Sequence, residues 1–232
     1  PIYRERDPRL QGKALDTVHD TDLSLRSDAP PRAEEPAPGP AWFAPTLPEQ
    51  VGQLIVTGFP GPELGAELLG LIESGGIGGL IFYRRNYPRR NYPSGEYELE
   101  ELVHEAKSAR NGRYPPLLLC IDQEGGTVNR IDDGGRPFPA PALLGTRSPE
   151  FVRETGRRTG ERLAALGIGL NFAPVLDLFY PGYTDFFETR AFSSDPEVVA
   201  EHGAAFAEGL LEAGIYPVVK HFPGQGMMTG DT

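Results

Sequence analysis

The sequence predicts an α/β fold of the (β/α)8 TIM barrel class, with only the first five or so strand–helix units inside its 232 residues. Short apolar runs alternate with longer amphipathic runs, and this alternation implies a parallel sheet. A closed barrel and an open doubly wound sheet both fit the alternation. Asp122, Asp177 and the Lys220–His221 pair fall at or just after strand ends. That edge is the active-site face of a barrel, which favours the barrel. A complete barrel needs roughly 250 residues, so we expect the remaining units to lie outside this sequence.

The predicted strands and helices follow one another in regular order from about residue 47. Apolar runs predict strands at 53–59, 79–83, 117–122, 170–177 and 215–222. Amphipathic runs between them predict helices at 62–76, 97–112, 148–166 and 195–213. Pro217 is expected near the start of its strand, because proline lacks the N–H group that a sheet ladder uses.

Residues that start and stop helices support these boundaries. Ser148 and Asp195 are each followed by proline, which is typical of an N-cap with proline at the first helical position. Glycines at 75–76, 167 and 214 are expected to end helices. The first of these helices is predicted to turn one apolar face inward, formed by Leu64, Leu68, Leu71 and Ile72.

The composition divides the chain into two parts. Residues 1–46 include the run DAPPRAEEPAPGPAW, which has little to bury and predicts a disordered Pro-rich arm. Residues 47–232 are predicted to form the barrel domain, incomplete at its C-terminal side. The repeat RRNYPRRNYP at 84–93 is interpreted as a duplication that lengthens a surface loop, rather than as a functional basic and aromatic loop.

Charge and composition exclude several classes of function. The net charge of −11 repels phosphate backbones, so nucleic acid is not expected as a partner. The single cysteine, Cys120, excludes an internal disulfide framework and is expected to be a buried, inert thiol. No apolar stretch approaches the ~18–20 residues of a membrane span. The N-terminus lacks a basic and then apolar leader, so the cytoplasm is the expected location.

The segment IDQEGGTVNRI at 121–131 is the first candidate site. Asp122 closes a strand, and Gly125–Gly126 permits a tight turn with positive φ. A carboxylate at such a rim can accept two sugar hydroxyls, while Arg130 nearby fixes its orientation and charge. A turn whose aspartate caps backbone amides is an equally good interpretation of these residues taken alone.

Three more polar residues follow later strands. Asn171 and Asp177, in NFAPVLD, are interpreted as structural. Arg190, in TRAFSSDP, is interpreted by position alone as a surface arginine.

The Lys220–His221 pair ends the last strand. Lysine is rarely buried without a partner, so Lys220 is expected to donate to Asp122 and balance its charge. A metal site is the rival role for His221 and Asp231, but the remaining ligands are missing from the sequence. No metal and no cofactor are therefore expected.

The segments IDQEGGTVNRI, NFAPVLD, RAFSSDPEVVA and KHFPGQG, in this order and spacing, resemble glycoside hydrolase family 3. The resemblance runs from about residue 47 to 232. Within the family, the sequence most resembles the bacterial β-N-acetylglucosaminidases of cell-wall recycling. It implies a retaining hydrolase that removes terminal non-reducing β-N-acetylglucosamine from a carbohydrate substrate. Such an enzyme uses an aspartate nucleophile and a histidine acid/base that is paired with an aspartate on a loop.

The resemblance also implies a role for each matching residue. Asp122, Arg130, Arg190, Lys220 and His221 are expected to bind the non-reducing sugar. Asp231 matches the aspartate that orients the acid/base histidine, and that histidine and the nucleophile are expected after Thr232. Gln225 stands where the family usually has histidine. Two alternatives stay open, a family 3 β-glucosidase and a truncated homologue that binds sugar without hydrolysing it.

Overall fold

The structure, a computed structural model, describes residues 45–87, 95–182 and 184–226. The predicted Pro-rich arm at 1–46 therefore lies almost wholly outside the described residues. The second copy of the RRNYP repeat and Asp231 lie outside them as well.

The described residues contain seven short strands and six α-helices. The strands are β1 (Val56–Thr57), β2 (Gly79–Phe82), β3 (Leu118–Ile121), β4 (Asp132–Asp133), β5 (Arg136–Pro137), β6 (Leu170–Asn171) and β7 (Tyr216–Pro217). The helices are α1 (Leu47–Gly52), α2 (Ala66–Glu73), α3 (Gly95–Ala109), α4 (Pro141–Leu144), α5 (Pro149–Ala165) and α6 (Pro196–Glu212).

Five of the strands form one parallel sheet in the order β1–β2–β3–β6–β7. Cys120 pairs with Ile81 on one side and Leu170 on the other, and Leu170 pairs with Tyr216. Successive strands thus lie side by side and end at the same edge. β4 and β5 form a separate antiparallel hairpin. The α/β class and the parallel sheet are confirmed.

The strands are shorter than the apolar runs predict. β6 ends at Asn171 because Pro174, three residues later, has no N–H group to donate to a neighbouring strand. Contact with the last strand resumes at Val175, which forms an isolated bridge with Lys220. Lys220 N donates to Pro174 O at 3.1 Å, and Leu176 N donates to Lys220 O at 2.7 Å.

The helix signals in the sequence agree with the structure, with one exception. Ser148 Oγ accepts a hydrogen bond from Phe151 N, and Asp195 Oδ1 accepts one from Glu197 N, so both predicted N-caps are confirmed. The predicted apolar face of α2 is wrong in part. Leu64 precedes the helix, which begins after Gly65, and Leu71 is 41% exposed.

Helices α5 and α6 pack directly against each other. Gly156 lies against the carbonyl group of Phe206, and Gly209 lies against the backbone of Arg153 and Arg157. A Cβ atom at either glycine would overlap with this backbone, so these two residues allow the close approach. Most of the described interior is one large apolar cluster that includes Phe82, Leu119, Ile121, Val152, Leu163, Phe206 and Leu210. Val175, Phe187 and Ala191 form a second, smaller cluster. None of the described helices combines the length and the apolar content that crossing a bilayer requires.

Candidate functional site

The candidate site lies where β3, β6 and β7 end. Asp122 directly follows β3, Asp177 comes six residues after β6, and Lys220 comes three residues after β7. Because parallel strands end at one edge of the sheet, this order brings the polar residues together, as the sequence predicts. Lys220 and His221 nevertheless contact two different carboxylates. The peptide bond between them is cis.

Lys220 is held by two carboxylates. Its Nζ lies 2.8 Å from Asp122 Oδ1 and 2.7 Å from Glu124 Oε1. The Lys220 side chain is only 13% exposed, so its charge is balanced inside the protein rather than by solvent. The predicted pairing of Lys220 with Asp122 is confirmed.

Glu124 connects Lys220 to Arg190. Arg190 Nε lies 2.9 Å from Glu124 Oε2, and Arg190 Nη2 lies 2.9 Å from Glu124 Oε1. Burial alone would raise the pKa of the Glu124 carboxyl, but the hydrogen bond from Arg190 and the charge of Lys220 outweigh it. The pKa therefore lies below its ordinary value, and Glu124 is a buried anion between two cations.

Arg190 is not the surface arginine that its position in the sequence alone suggests. Its side chain is 11% exposed, and its guanidinium carbon lies 5.4 Å from the centroid of the Phe187 ring. The short 3-10 turn at Asp185–Phe187 holds the segment in place, because Arg190 N donates to Phe187 O at 3.0 Å. Arg190 is buried because it pairs with the buried carboxylate of Glu124, which lies 66 residues earlier in the chain.

His221 is held by Asp177. His221 N lies 3.0 Å and His221 Nδ1 lies 2.6 Å from Asp177 Oδ2, while Gln225 N lies 2.8 Å from Asp177 Oδ1. The Asp177 side chain is 3% exposed and the His221 side chain 28%. Asp177 thus connects the end of the last strand to the loop that follows it, in agreement with the predicted structural role.

A buried amide pair fixes the segment that carries Asp122 and Glu124. Asn171 Oδ1 accepts from Gln123 N at 2.8 Å, and Asn171 Nδ2 donates to Gln123 O at 2.9 Å. The side chain of Gln123 accepts from Arg130 N and Ile131 N. Gly125 and Gly126 follow with φ of 90° and 58°, which confirms the predicted tight turn. Asn171 is structural, as the sequence predicts.

Arg130 does not orient Asp122, in contrast to the interpretation of the sequence. Within the described residues the charge partner of Asp122 is Lys220, and no hydrogen bond joins Arg130 to Asp122. The backbone of Arg130 is held by Gln123 instead, because Arg130 N donates to Gln123 Oε1 at 2.6 Å. The Nε atom of Arg130 is buried and has no hydrogen-bond partner in the described part of the chain.

No group of three or more His, Cys, Asp or Glu residues that could hold a metal ion occurs within residues 45–87, 95–182 and 184–226. Cys120 is buried, and burial raises the pKa of its thiol to about 12.

These contacts give the site a definite chemistry. Asp122 keeps 20% of its side chain exposed beside the Nζ donor of Lys220, and a carboxylate next to an ammonium group can bind a pair of hydroxyls, one as donor and one as acceptor. Two cations and two carboxylates also leave the cluster of Asp122, Glu124, Arg190 and Lys220 nearly neutral. Such an arrangement suits a neutral, hydroxyl-rich ligand.

The chain's family is shown by comparison with known proteins. Residues 46–232 match the family described as "Glycosyl hydrolase family 3 N terminal domain". The chain belongs to glycoside hydrolase family 3. It is 34% identical over 163 residues to a beta-hexosaminidase of Hydrogenovibrio crunogenus, and that match covers 67% of this chain and 43% of the relative. It is 40% identical over 119 residues to the beta-hexosaminidase LpqI of Mycobacterium tuberculosis, covering 50% of this chain and 31% of the relative.

Solved structures of this family have the same fold. A family 3 β-N-acetylglucosaminidase from a Paenibacillus species aligns with a TM-score of 0.72 at 36% identity, covering 81% of this chain and 35% of that one. NagZ from Neisseria gonorrhoeae, solved in complex with N-trifluoroacetyl-D-glucosamine, aligns with a TM-score of 0.66 at 32% identity, covering 77% of this chain and 52% of that one. The chain thus spans about half the length of these relatives or less.

Interpretation of the sequence missed Glu124 as part of the site. Its neighbours on both sides are buried or glycine, and a carboxylate in such a run needs a charged partner. That requirement is the feature from which Glu124 could have been predicted. Its partner Arg190 could not have been, since it lies in a loop 66 residues away in the sequence.

Proposed function

We propose that this chain provides the sugar-binding part of the active site of a glycoside hydrolase that removes terminal non-reducing β-N-acetylglucosamine. The observation that carries the proposal is the cluster of Asp122, Glu124, Arg190 and Lys220 at the strand ends. Membership of family 3 and the similarity to beta-hexosaminidases support it. We further propose that the substrate comes from cell-wall peptidoglycan during recycling, in line with the similarity to NagZ.

In this proposal Asp122 and Lys220 bind neighbouring hydroxyls of the terminal sugar. Arg190 acts in two ways, by holding Glu124 and by lining the pocket. His221 contributes its exposed ring edge. Arg130 is proposed to bind through its guanidinium group, as the resemblance to the family implies.

The reaction is proposed to proceed with retention of configuration. An aspartate attacks the anomeric carbon to form a glycosyl-enzyme, and water then hydrolyses it while an acid/base group transfers the proton. The nucleophile and the acid/base histidine are proposed to follow Thr232, with Asp231 orienting that histidine, in line with the resemblance to the family. The residues described here bind and orient the sugar, and a ring held in one position presents its anomeric carbon to the nucleophile.

The five parallel strands are proposed to be the first part of a (β/α)8 barrel. Apolar side chains at the two outer strands support this. Leu54 beside β1 is 85% exposed, and Tyr216 in β7 is 67% exposed. Further strands added at these edges would cover both and would pair the free backbone groups.

The proposal is tested with the full-length product of the reading frame that encodes this sequence. Its kcat/KM is measured on 4-nitrophenyl N-acetyl-β-glucosaminide and on 4-nitrophenyl β-glucoside. We expect faster hydrolysis of the N-acetylglucosaminide. Faster hydrolysis of the glucoside would replace the proposal by a β-glucosidase, and binding of N-acetylglucosamine without hydrolysis of either compound would replace it by a non-catalytic sugar-binding protein.

A further inference from the structure

We propose that Asp177 is a positioning residue, which holds neutral His221 in the Nδ1–H tautomer and fixes the start of the loop at 222–226. The ring Nε2 of His221 then serves as an acceptor for a ligand hydroxyl. The inference deepens the proposed function and rests on it only for the nature of that ligand, a sugar. The contacts made by Asp177 are independent of the ligand.

The carboxylate of Asp177 accepts hydrogen bonds from three N–H groups. Asp177 Oδ2 accepts from the backbone N and the ring Nδ1 of His221, at 3.0 and 2.6 Å, and Asp177 Oδ1 accepts from Gln225 N at 2.8 Å. An ionised carboxylate accepts hydrogen bonds and donates none, so the ring nitrogen that faces it has to carry a hydrogen. In neutral His221 this leaves Nε2 with its lone pair.

The ring of His221 is fixed on one side and open on another. It lies 5.9 Å from the Phe187 ring, centroid to centroid, at an interplanar angle of 35°. Within the part of the chain that the structure describes, Nε2 forms no hydrogen bond, and 28% of the side chain is exposed. A ligand hydroxyl can therefore donate to Nε2, whereas the opposite tautomer would present an N–H donor at the same point.

The same carboxylate closes the loop after the last strand. The two ends of the segment 221–225 are held by the two oxygens of Asp177, through His221 N and Gln225 N. Gly224 N also donates to His221 O at 2.5 Å, which completes a tight turn. The chain that leads toward Asp231 therefore leaves from a point that Asp177 fixes. This gives Asp177 an influence on both the sugar-binding residue His221 and the segment proposed to orient the acid/base group.

An amide cannot replace this carboxylate. Asparagine offers one acceptor oxygen and one NH2 group, so in either orientation an N–H donor of the loop or of His221 faces another donor. Removing one charge-assisted hydrogen bond lowers the affinity of a site for its ligand by about tenfold or more. We therefore expect Asp177→Asn to raise KM on 4-nitrophenyl N-acetyl-β-glucosaminide about tenfold.

The direct test is ¹⁵N NMR of the histidine rings in the full-length protein, with the His221 signals assigned as those missing from His221→Asn. The expected spectrum at neutral pH shows a protonated, pyrrole-type Nδ1 and an unprotonated, pyridine-type Nε2. The opposite assignment, or a ring that is protonated at both nitrogens, would overturn the inference. Asp177→Asn is expected to reduce the population of the Nδ1–H tautomer.

The matched control is Asp195→Asn, which exchanges the same groups at the N-cap of α6, where asparagine caps as well as aspartate. It should leave the His221 signals and KM unchanged. If Asp177→Asn also leaves the His221 signals and KM unchanged, Asp177 is not a positioning residue. An Nδ1–H ring in a protein that hydrolyses neither test glycoside would support the inference about Asp177 and overturn the proposed function instead.

Discussion

Lys220 and His221 are neighbours in the sequence, but they belong to two regions of the site that are held in different ways. Lys220 is part of a charge cluster in which Glu124 and Asp122 balance two cations. His221 depends on one carboxylate, Asp177, that accepts from three N–H groups. The cluster joins segments distant in sequence, whereas Asp177 organises one strand end and its loop.

The same type of residue, a buried carboxylate, therefore has two distinct uses in this site. Loss of charge at Glu124 leaves Arg190 without its carboxylate and Lys220 with Asp122 alone, so it should affect the whole domain. A change at Asp177 leaves the charge cluster intact and should affect His221 and the following loop. Variants of Glu124 and Arg190 test the charge cluster, whereas Asp177→Asn tests the region of His221.

The largest effect is expected from Glu124→Gln. The glutamine keeps the shape of the side chain but removes the anion between Arg190 and Lys220, and breaking a buried ion pair costs about 3–5 kcal/mol. Urea unfolding measures the free energy of unfolding. Glu154→Gln is the matched control, because Glu154 pairs with Arg157 on the exposed face of α5 and its loss should leave the stability almost unchanged. Equal effects of the two variants would contradict the role given to Glu124.

A smaller effect is expected from Arg190→Lys. Arg190 uses two nitrogens to contact both oxygens of Glu124, and lysine can reproduce one of these contacts, so the free energy of unfolding should fall by about 1.5–3 kcal/mol. Arg157→Lys, on the surface of α5, serves as control and should be nearly neutral. If Arg190→Lys is neutral as well, the paired contact with Glu124 contributes nothing to stability.

The smallest effect is a change of stability with pH. Glu124 has a lowered pKa in the folded protein, so its contribution is present above the pKa of the unfolded state and is lost as the pH falls toward the folded pKa. The difference in free energy of unfolding between wild type and Glu124→Gln should therefore narrow from pH 7 to pH 4, by less than about 1 kcal/mol. Urea titrations at the two pH values measure it, and a difference that widens at pH 4 would contradict the account.

The sequence predicts local features of this molecule well and distant partners poorly. The N-caps at Ser148 and Asp195 and the turn at Gly125–Gly126 depend on neighbouring residues, and all are confirmed. The pairing of Lys220 with Asp122 was predictable as well, since both follow parallel strands that end at one edge.

Other contacts depend on how loops return to the sheet. Arg190 reaches Glu124 from 66 residues away, through a 3-10 turn that no pattern in the sequence indicates. Closeness in the sequence is no better a guide. Arg130 lies eight residues after Asp122, but within the described residues the charge partner of Asp122 is Lys220. Strand length was overestimated because the apolar run after Asn171 contains a proline that stops sheet pairing.

Binding of a terminal N-acetylglucosamine by the Lys220 cluster can be measured by isothermal titration calorimetry with this sugar. The full-length wild type is compared with Lys220→Met and with Lys107→Met, an exposed lysine of α3 that serves as matched control. Lys220→Met is expected to weaken binding by about tenfold to a hundredfold, since a charged hydrogen-bond donor to the sugar is lost, while Lys107→Met should bind like wild type. Equal affinity of wild type and folded Lys220→Met would contradict this role of the Lys220 cluster.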